Sequence, residues 1–400
     1  MSRPKVLLLT QHFFPEENVP AIRWYWLANG LVQRGFDVEV LTATWGKGGK
    51  ELLQPHLVVN RVPGAVAGKS VFSRLLNELV VATRSLTVNF GKTRPDLIIA
   101  TGPPLTTLVL ADLLSRRYRR PLVCDLRDAW PELLDQWQQW GDDGIRPVKK
   151  HRLRNIVLSP VIGVLKQLLL AIQRRSKLMV TTSEYYAEAI KTRVSGEIIW
   201  IRNTPEIAVT KPTVDDHNKL RILYLGNIGR AQKLATAIRA AALAAKAGAN
   251  IELRIVGDGA QLSVVRTLAK RLKAPVEFYG RVPRAEVAQQ YQWADTILVM
   301  LRNWQPLETT VPSKLYDALA SGKYICASLA GESAEIISRT GAGDVVAPED
   351  AEGLAALWVE LANNRDRLLR RDNNEWLLEN TNKDKLANEY ADALSNLLKN

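Results

Sequence analysis

The chain has 400 residues, 46% hydrophobic and 24% charged, a soluble-globular composition that excludes one compact core and suits two domains of about 200 residues each. Its formal charge of +13 is uneven: residues 1–200 carry 28 Lys and Arg against 17 Asp and Glu, whereas residues 201–400 carry 26 against 24. The basic first half asks for an anionic partner: lipid, substrate or nucleic acid. Cys124 and Cys326, far apart in apolar runs, point to reduced, buried thiols and a cytoplasmic protein.

The first element is a short apolar strand, Val6–Leu9, without a signal-peptide pattern. The loop Phe13-Phe14-Pro15-Glu16-Glu17-Asn18-Val19-Pro20 follows, then a helix from about Ala21 to Arg34 that Gly35 closes. Val38–Leu41, Asp96–Ala100, Pro121–Leu126 and Leu178–Thr181 read as further strands. Asn203 to Pro212, polar and proline-bearing, reads as an interdomain linker.

The second half repeats the pattern. Leu220–Leu225 is a strand running into Gly226-Asn227-Ile228-Gly229, followed by an alanine-rich helix from about Lys233 to Ala247. Ile251–Val256, Val276–Tyr279, Thr296–Leu301 and Tyr324–Ala327 complete the set, and a last helix covers about Asp384 to Leu398. Short apolar runs separated by helices predict two doubly wound parallel sheets. Such domains bind ligands at the carboxyl ends of their strands, where the motifs below all fall.

Pro312-Ser313-Lys314-Leu315-Tyr316-Asp317 opens a helix whose first turn offers free N–H groups and a positive dipole to an anion. Lys314 adds a full charge, and Asp317, one turn on, is placed to take the vicinal hydroxyls of a sugar. A basic capped helix without ligand is the plain alternative. Gly226 to Lys233 is a glycine-bearing turn in which Arg230 or Lys233 can neutralise a phosphate, though the spacing is not that of a dinucleotide fingerprint.

Asp125-Leu126-Arg127-Asp128-Ala129-Trp130-Pro131-Glu132 puts two carboxylates and an arginine at a strand end. Asp128 is the candidate for acid/base work, while Asp125 and Arg127 also read as a structural ion pair. The run Arg146-Pro147-Val148-Lys149-Lys150-His151-Arg152-Leu153-Arg154 leads into the apolar stretch Ile156 to Ile172. That is either an in-plane membrane segment or a solvated charge run before a packed helix. Trp24, Trp26, Trp137 and Trp140 either line an acceptor groove or fill core. No Cys/His spacing suits a metal.

These segments carry a resemblance. Phe14-Pro15-Glu16 with Ala21-Ile22-Arg23, Thr101-Gly102-Pro103-Pro104, Arg127 to Glu132, Leu225 to Gln232, Val256-Gly257-Asp258-Gly259 and Pro312-Ser313-Lys314 resemble family 4 glycosyltransferases of bacteria, which have the GT-B fold. The nearer likeness is to the L-fucosamine transferase-like branch that acts on lipid-linked sugars in surface polysaccharide synthesis. The resemblance implies two Rossmann-like domains facing across a cleft. Residues 1–204 would bind the acceptor, residues 205–383 the donor, and the last helix, about 384–400, would pack back near the first domain.

It implies transfer from a nucleotide diphosphate donor, a UDP-sugar, with retention of configuration and without metal or other cofactor. The acceptor would be a polyprenyl-diphosphate-linked glycan, met at the inner face of the plasma membrane. Arg127, Asp128, Arg230 and Lys314 are the implied catalytic residues. Gly226, Gly229, Gln232, Gly257, Arg281, Val282, Glu308, Thr309, Ser313 and Asp317 are the implied donor contacts. For the acceptor they are Glu17, Asn18, Arg23, Pro103 and Trp130, and for the membrane Lys149, Lys150, Arg152 and Arg154.

The sequence departs from the family pattern twice. Thr309 stands where the first glutamate of an E-x7-E pair belongs, beside Glu308, and Arg127 stands where many members carry histidine. Arginine stays protonated and cannot shuttle a proton. In this fold the diphosphate oxygen itself is thought to take the acceptor's proton on the reacting face. A sugar-nucleotide 2-epimerase on the same fold is the second reading. A basic nucleic-acid-binding protein is the third, without a recognised binding module.

Overall fold

A computed structural model describes residues 3–64, 71–88, 94–141, 152–211, 213–214, 218–369 and 374–399. It divides into two units. One comprises Met1–Leu134, Ile156–Arg202 and Asn382–Asn400, the other Asp135–Asn155 and Asn203–Thr381.

The first unit is built on one sheet of β1 (Lys5–Leu9), β2 (Asp37–Thr44), β3 (Gly49–Gln54), β4 (Leu57–Pro63), β5 (Leu97–Gly102), β6 (Leu122–Leu126), β7 (Leu178–Thr181) and β8 (Glu197–Trp200). The order is β3-β4-β2-β1-β5-β6-β7-β8, parallel except for the β3–β4 hairpin at one edge. β5 and β6 are buried along their whole length, because helices cover the sheet.

The helix Val19–Gln33 is capped by Asn18, whose Oδ1 accepts the Ala21 N–H at 3.0 Å, and the chain leaves it through Gly35 at φ 92°. It meets the last helix, Lys383–Lys399, so closely at Gly30 that an added Cβ would lie 2.4 Å from Ala387 Cβ. Trp24 and Tyr390 pack edge to face at 6.1 Å in the same layer.

The second unit holds β9 (Leu220–Leu225), β10 (Ile251–Val256), β11 (Val276–Tyr279), β12 (Thr296–Met300), β13 (Tyr324–Ser328) and β14 (Gly343–Val346), all parallel, in the order β11-β10-β9-β12-β13-β14. The alanines of the helix Ala235–Lys246 favour helix and let the helix Ala351–Asn363 pack close on it in the core.

In each sheet the chain reverses direction at one place. Connections from β1 lead one way and those from β5 the other, so β1 and β5 flank the switch point of the first unit. β9 and β12 flank that of the second. Crevices outside the carboxyl ends at such points are where doubly wound sheets take ligands.

The expected doubly wound parallel sheets are present, with β3, β4, β8 and β14 in addition. These four are hairpin or edge strands, partly exposed, so they lack the continuous apolar run that marks a central strand. The stretch read as a linker is tied into the second unit: the Thr210 N–H donates to the Ala320 carbonyl at 2.8 Å.

Candidate active site

Two glycine turns meet at the β9 end of the second unit. Gly226 follows β9 at φ 138° and Gly257 follows β10 at φ 142°, a region that favours glycine. A Cβ on Gly257 would lie 2.0 Å from the Gly226 carbonyl oxygen, so the two backbones touch with no room for a side chain. The Gly226 N–H donates to the Val256 carbonyl, and the Ile228 N–H to that of Asp258, both at 2.9 Å.

Gly229 then caps a short 3-10 turn, Arg230–Gln232, its N–H donating to Gln232 Oε1 at 3.2 Å. Arg230 is exposed on that turn. Lys233 is not available to a phosphate as the sequence suggested: its ammonium pairs with Glu349 at 2.6 Å. Glu349 also accepts the Asn303 N–H at 3.1 Å and faces Arg302 at 3.4 Å. It thereby joins the loops after β9, β12 and β14, a role with no local sequence signal.

The helix Ser313–Ala320 brings Lys314 to the same turn. Pro312 is its N-cap and no side chain caps it, so first-turn N–H groups stay available to an anion. The Lys314 ammonium donates to the Tyr224 hydroxyl at 2.7 Å and lies 4.0 Å from the centre of its ring. A Cβ on Gly226 would come within 3.0 Å of Lys314 Nζ. The residue keeps some exposed surface, yet its ammonium has little water around it, and burial pushes its pKa down to about 7. Lys314, Gly226, Gly229 and Gln232 are thus brought together, with Tyr224 as a partner the sequence reading missed.

Asp317 is otherwise engaged than expected: its carboxylate accepts the Glu206 N–H at 2.6 Å, anchoring the chain that enters the second unit. Burial pushes its pKa up to about 6, with that hydrogen bond opposing. Glu308 ends the short helix Gln305–Glu308, and the Thr309 hydroxyl donates to the Pro306 carbonyl at 3.0 Å. Ser313 begins its helix half-buried, while Arg281 and Val282 lie in the loop after β11.

In the first unit Arg127 and Asp128 follow β6. The Arg127 guanidinium donates to Thr101 Oγ1 at 3.2 Å and to the Pro103 carbonyl at 2.6 Å, so it braces the turn after β5. The half-buried Asp128 carboxylate makes no hydrogen bond to another described residue, and burial raises its pKa against the pull of Arg127. Its neighbour Trp130 is held through its carbonyl by Gln173 Nε2 at 2.8 Å and by the Tyr186 hydroxyl.

One acceptor expectation is corrected. Arg23 is 2% exposed in the core, with its guanidinium on the Arg202 carbonyl at 3.1 Å and on the fully buried Asp125 at 3.4 Å. It is therefore a structural charge, and Asp125 pairs with it rather than with Arg127. Asn18 caps its helix with Oδ1 and donates from Nδ2 to Glu16 at 2.7 Å. Glu17 is exposed in the same loop.

Lys149 and Lys150 lie outside the described residues, and for Arg152 and Arg154 only the backbone, in the helix Arg152–Arg175, is described. Among the described residues no helix is long and apolar enough to cross a membrane.

Residues 20–195 match the model of a glycosyl transferase 4-like domain, and residues 219–364 that of glycosyl transferases group 1. No curated protein matches the chain. Among solved structures, a sucrose-phosphate synthase from Thermosynechococcus elongatus is similar at TM-score 0.74 and 15% identity, over 99% of this chain and 100% of that one. Anabaena Alr3699/HepE, solved in complex with UDP and glucose, is similar at TM-score 0.65 and 17% identity, over 98% and 100%. The lipopolysaccharide outer core galactosyltransferase WaaB is similar at TM-score 0.61 and 14% identity, over 98% and 99%. The fold is GT-B.

Proposed function

Since the chain belongs to the glycosyltransferases of GT-B type, we propose that it moves a sugar from a UDP-hexose or UDP-N-acetylhexosamine on its second unit to a lipid-linked glycan on its first. The observation that carries this reading is Lys314, a desolvated ammonium held at the Gly226 turn beside an uncapped helix start. A diphosphate accepts hydrogen bonds from such N–H groups and restores the charge of the lysine. Arg230, exposed on the next turn, adds a second cation.

During transfer, negative charge grows on the departing diphosphate, and fixed cations and N–H dipoles there lower the barrier most. Lys314 and Arg230 take that role without metal, the configuration is retained, and the diphosphate oxygen accepts the acceptor's proton. The turn with Arg281 and Val282 meets the base, and Asp317 meets the ribose. Glu308 and Thr309 lie toward the donor sugar, and Gly257 keeps its turn clear for the phosphates. Asp128 orients the acceptor.

The acceptor is carried on polyprenyl diphosphate in surface polysaccharide synthesis of the L-fucosamine transferase kind, and the enzyme sits at the cytoplasmic membrane face. UDP bound in the similar HepE structure supports the choice of nucleotide.

Thermal unfolding with UDP, GDP, ADP and dTDP, each with EDTA, tests the donor half. UDP should raise the melting temperature of the wild type and not of Lys314→Ala, because a ligand of the folded state stabilises by mass action. An equal shift in both proteins would remove Lys314 from the site, and a shift that EDTA abolishes would make the enzyme metal-dependent.

A further inference from the structure

The transfer chemistry above makes no use of Glu349, yet this carboxylate reaches two loops besides its own. Its Oε2 pairs with the Lys233 ammonium at 2.6 Å. Its Oε1 accepts the Asn303 N–H at 3.1 Å and lies 3.4 Å from the Arg302 guanidinium. The Arg302 N–H in turn donates to the Ala231 carbonyl at 2.7 Å. Ala231 is the middle residue of the turn Arg230–Gln232, and Lys233 is the residue that closes it. The turn that carries Arg230 is therefore gripped at its centre, through Arg302, and at its end, through Lys233, and both grips lead to Glu349.

The backbone shows what the grip holds. Lys233 sits at φ 44° and Glu349 at φ 67°, the left-handed region that strains a residue with a side chain. Such residues persist where their surroundings hold them. Here the two strained residues hold each other, and water is largely kept from the contact: the Lys233 side chain is 14% exposed and that of Glu349 28%. Arg302 is buried beneath, its guanidinium 4.8 Å from the centre of the Trp304 ring. Charge-assisted hydrogen bonds are strong in such a place. Arg230 itself is exposed, so the backbone of its turn sets where its guanidinium can reach.

We propose that Glu349 is a positioning residue for the donor diphosphate, acting through Arg230 rather than on the ligand, by clamping the Arg230 turn with Lys233 and Arg302. This rests on the transferase reading and adds to its donor site a residue far along the chain. The same pair has an opposite reading, in which Glu349 masks Lys233, a cation that would otherwise serve the phosphate. The two differ in sign.

Glu349→Gln keeps the size and an acceptor for the Asn303 N–H but removes the charge that Lys233 answers. Calorimetric titration with UDP, well below the melting temperature of each variant, reads the effect. UDP affinity should fall about fivefold or more in Glu349→Gln, fall alike in Lys233→Met, and fall no further when both are changed, since the pair acts as a unit. In Arg230→Ala, which binds UDP less well from the start, adding Glu349→Gln should alter affinity by less than about twofold.

Tighter UDP binding in Glu349→Gln would mean a masked cation and overturn the assignment. A lowered melting temperature with the UDP affinity of the wild type would also overturn it, leaving Glu349 a structural residue, as would a loss that appears in full on Arg230→Ala. Amide hydrogen exchange separates this failure from that of the transferase reading. The Gly229 N–H donates to Gln232 Oε1 at 3.2 Å and the Lys233 N–H to the Arg230 carbonyl at 3.3 Å, so both amides report on the turn. In a wild type blind to every nucleotide, faster exchange at these amides in Glu349→Gln would keep the clamp and sink the transferase reading. Unchanged exchange would overturn the clamp as well.

Discussion

The Lys314 ammonium meets both faces of Tyr224's chemistry, its hydroxyl at 2.7 Å and its ring at 4.0 Å from the centroid. The same hydroxyl donates to the Asn227 carbonyl at 2.6 Å. One tyrosine therefore positions the cation and the turn that is to hold the anion. Tyr224→Phe keeps the ring and removes both hydrogen bonds. We expect it to lower unfolding free energy by about 1–2 kcal/mol and to weaken UDP several-fold. Calorimetry on the two proteins decides it, and wild-type values in both quantities would mean the hydroxyl positions nothing.

Lys314 also sets a pH dependence. Burial puts its pKa near 7 in the empty site, below the 10.5 of a free lysine. A bound diphosphate favours the charged form, so UDP affinity should fall as pH rises through 7, by up to about tenfold per unit. The sign for folding is opposite. The unfolded chain binds more protons between about 7 and 10.5, so this residue's penalty fades and stability rises across that window. Titrating UDP from pH 6.5 to 9 checks the first slope, and in Lys314→Met it should flatten, leaving weak binding throughout.

The glycine turns allow a sharper comparison. Gly257→Ala puts a Cβ 2.0 Å from the Gly226 carbonyl oxygen at φ 142°, so the turn must move. We expect a loss of about 2 kcal/mol or more and no UDP binding. Gly280, on the loop after β11, has open space around its Cβ position and no positive φ. Gly280→Ala should stay within about 0.5 kcal/mol of the wild type. Equal melting temperatures for the two variants would show that the close approach is not needed.

How much of this was legible follows from the range of each signal. Gly226 and Gly229 stood out as a glycine turn at a strand end, Lys314 as a cation beside Pro312 at a helix start, and Gly257 through the family resemblance. Tyr224 looked like one more apolar strand residue, since its partner Lys314 is 90 positions away. Arg23 looked available to the acceptor and Asp125 looked paired with Arg127, and only the fold shows that Arg23 and Asp125, 102 positions apart, meet. Lys233 looked free for a phosphate in the same way, its partner Glu349 lying far along the chain. Charges that close over long sequence separations are invisible to spacing, whereas glycines that serve a local turn are not.

That pairing separates two neighbouring carboxylates. Asp125→Ala strands the Arg23 charge in the core and should cost about 3–5 kcal/mol, enough to see as a large fall in melting temperature. Asp128→Asn removes a half-buried carboxylate with no hydrogen bond to a described residue. It should leave melting unchanged and reduce kcat by roughly tenfold or more at constant donor KM. A kcat like that of the wild type would free Asp128 from any part in the reaction.

The helix Arg152–Arg175 carries the membrane proposal. Val161 and Val164 on it are 60% and 71% exposed, and Leu158 and Leu168 lie exposed one turn to either side. Three- and four-residue steps put such side chains on one face, which fits a helix lying in a lipid interface. Lys149 and Lys150 precede this helix in sequence and Arg152 and Arg154 fall in its first turn, each cation worth about 1 kcal/mol near an anionic surface.

Burying a valine contributes about 1.5–3 kcal/mol, so Val161→Asp with Val164→Asp should cut partition onto phosphatidylglycerol vesicles by about tenfold or more. Replacing the four cations by alanine should weaken the same binding and remove its salt dependence. On vesicles of neutral lipid the wild type should already bind poorly. Partition that survives both sets of changes would place the acceptor's lipid against another surface.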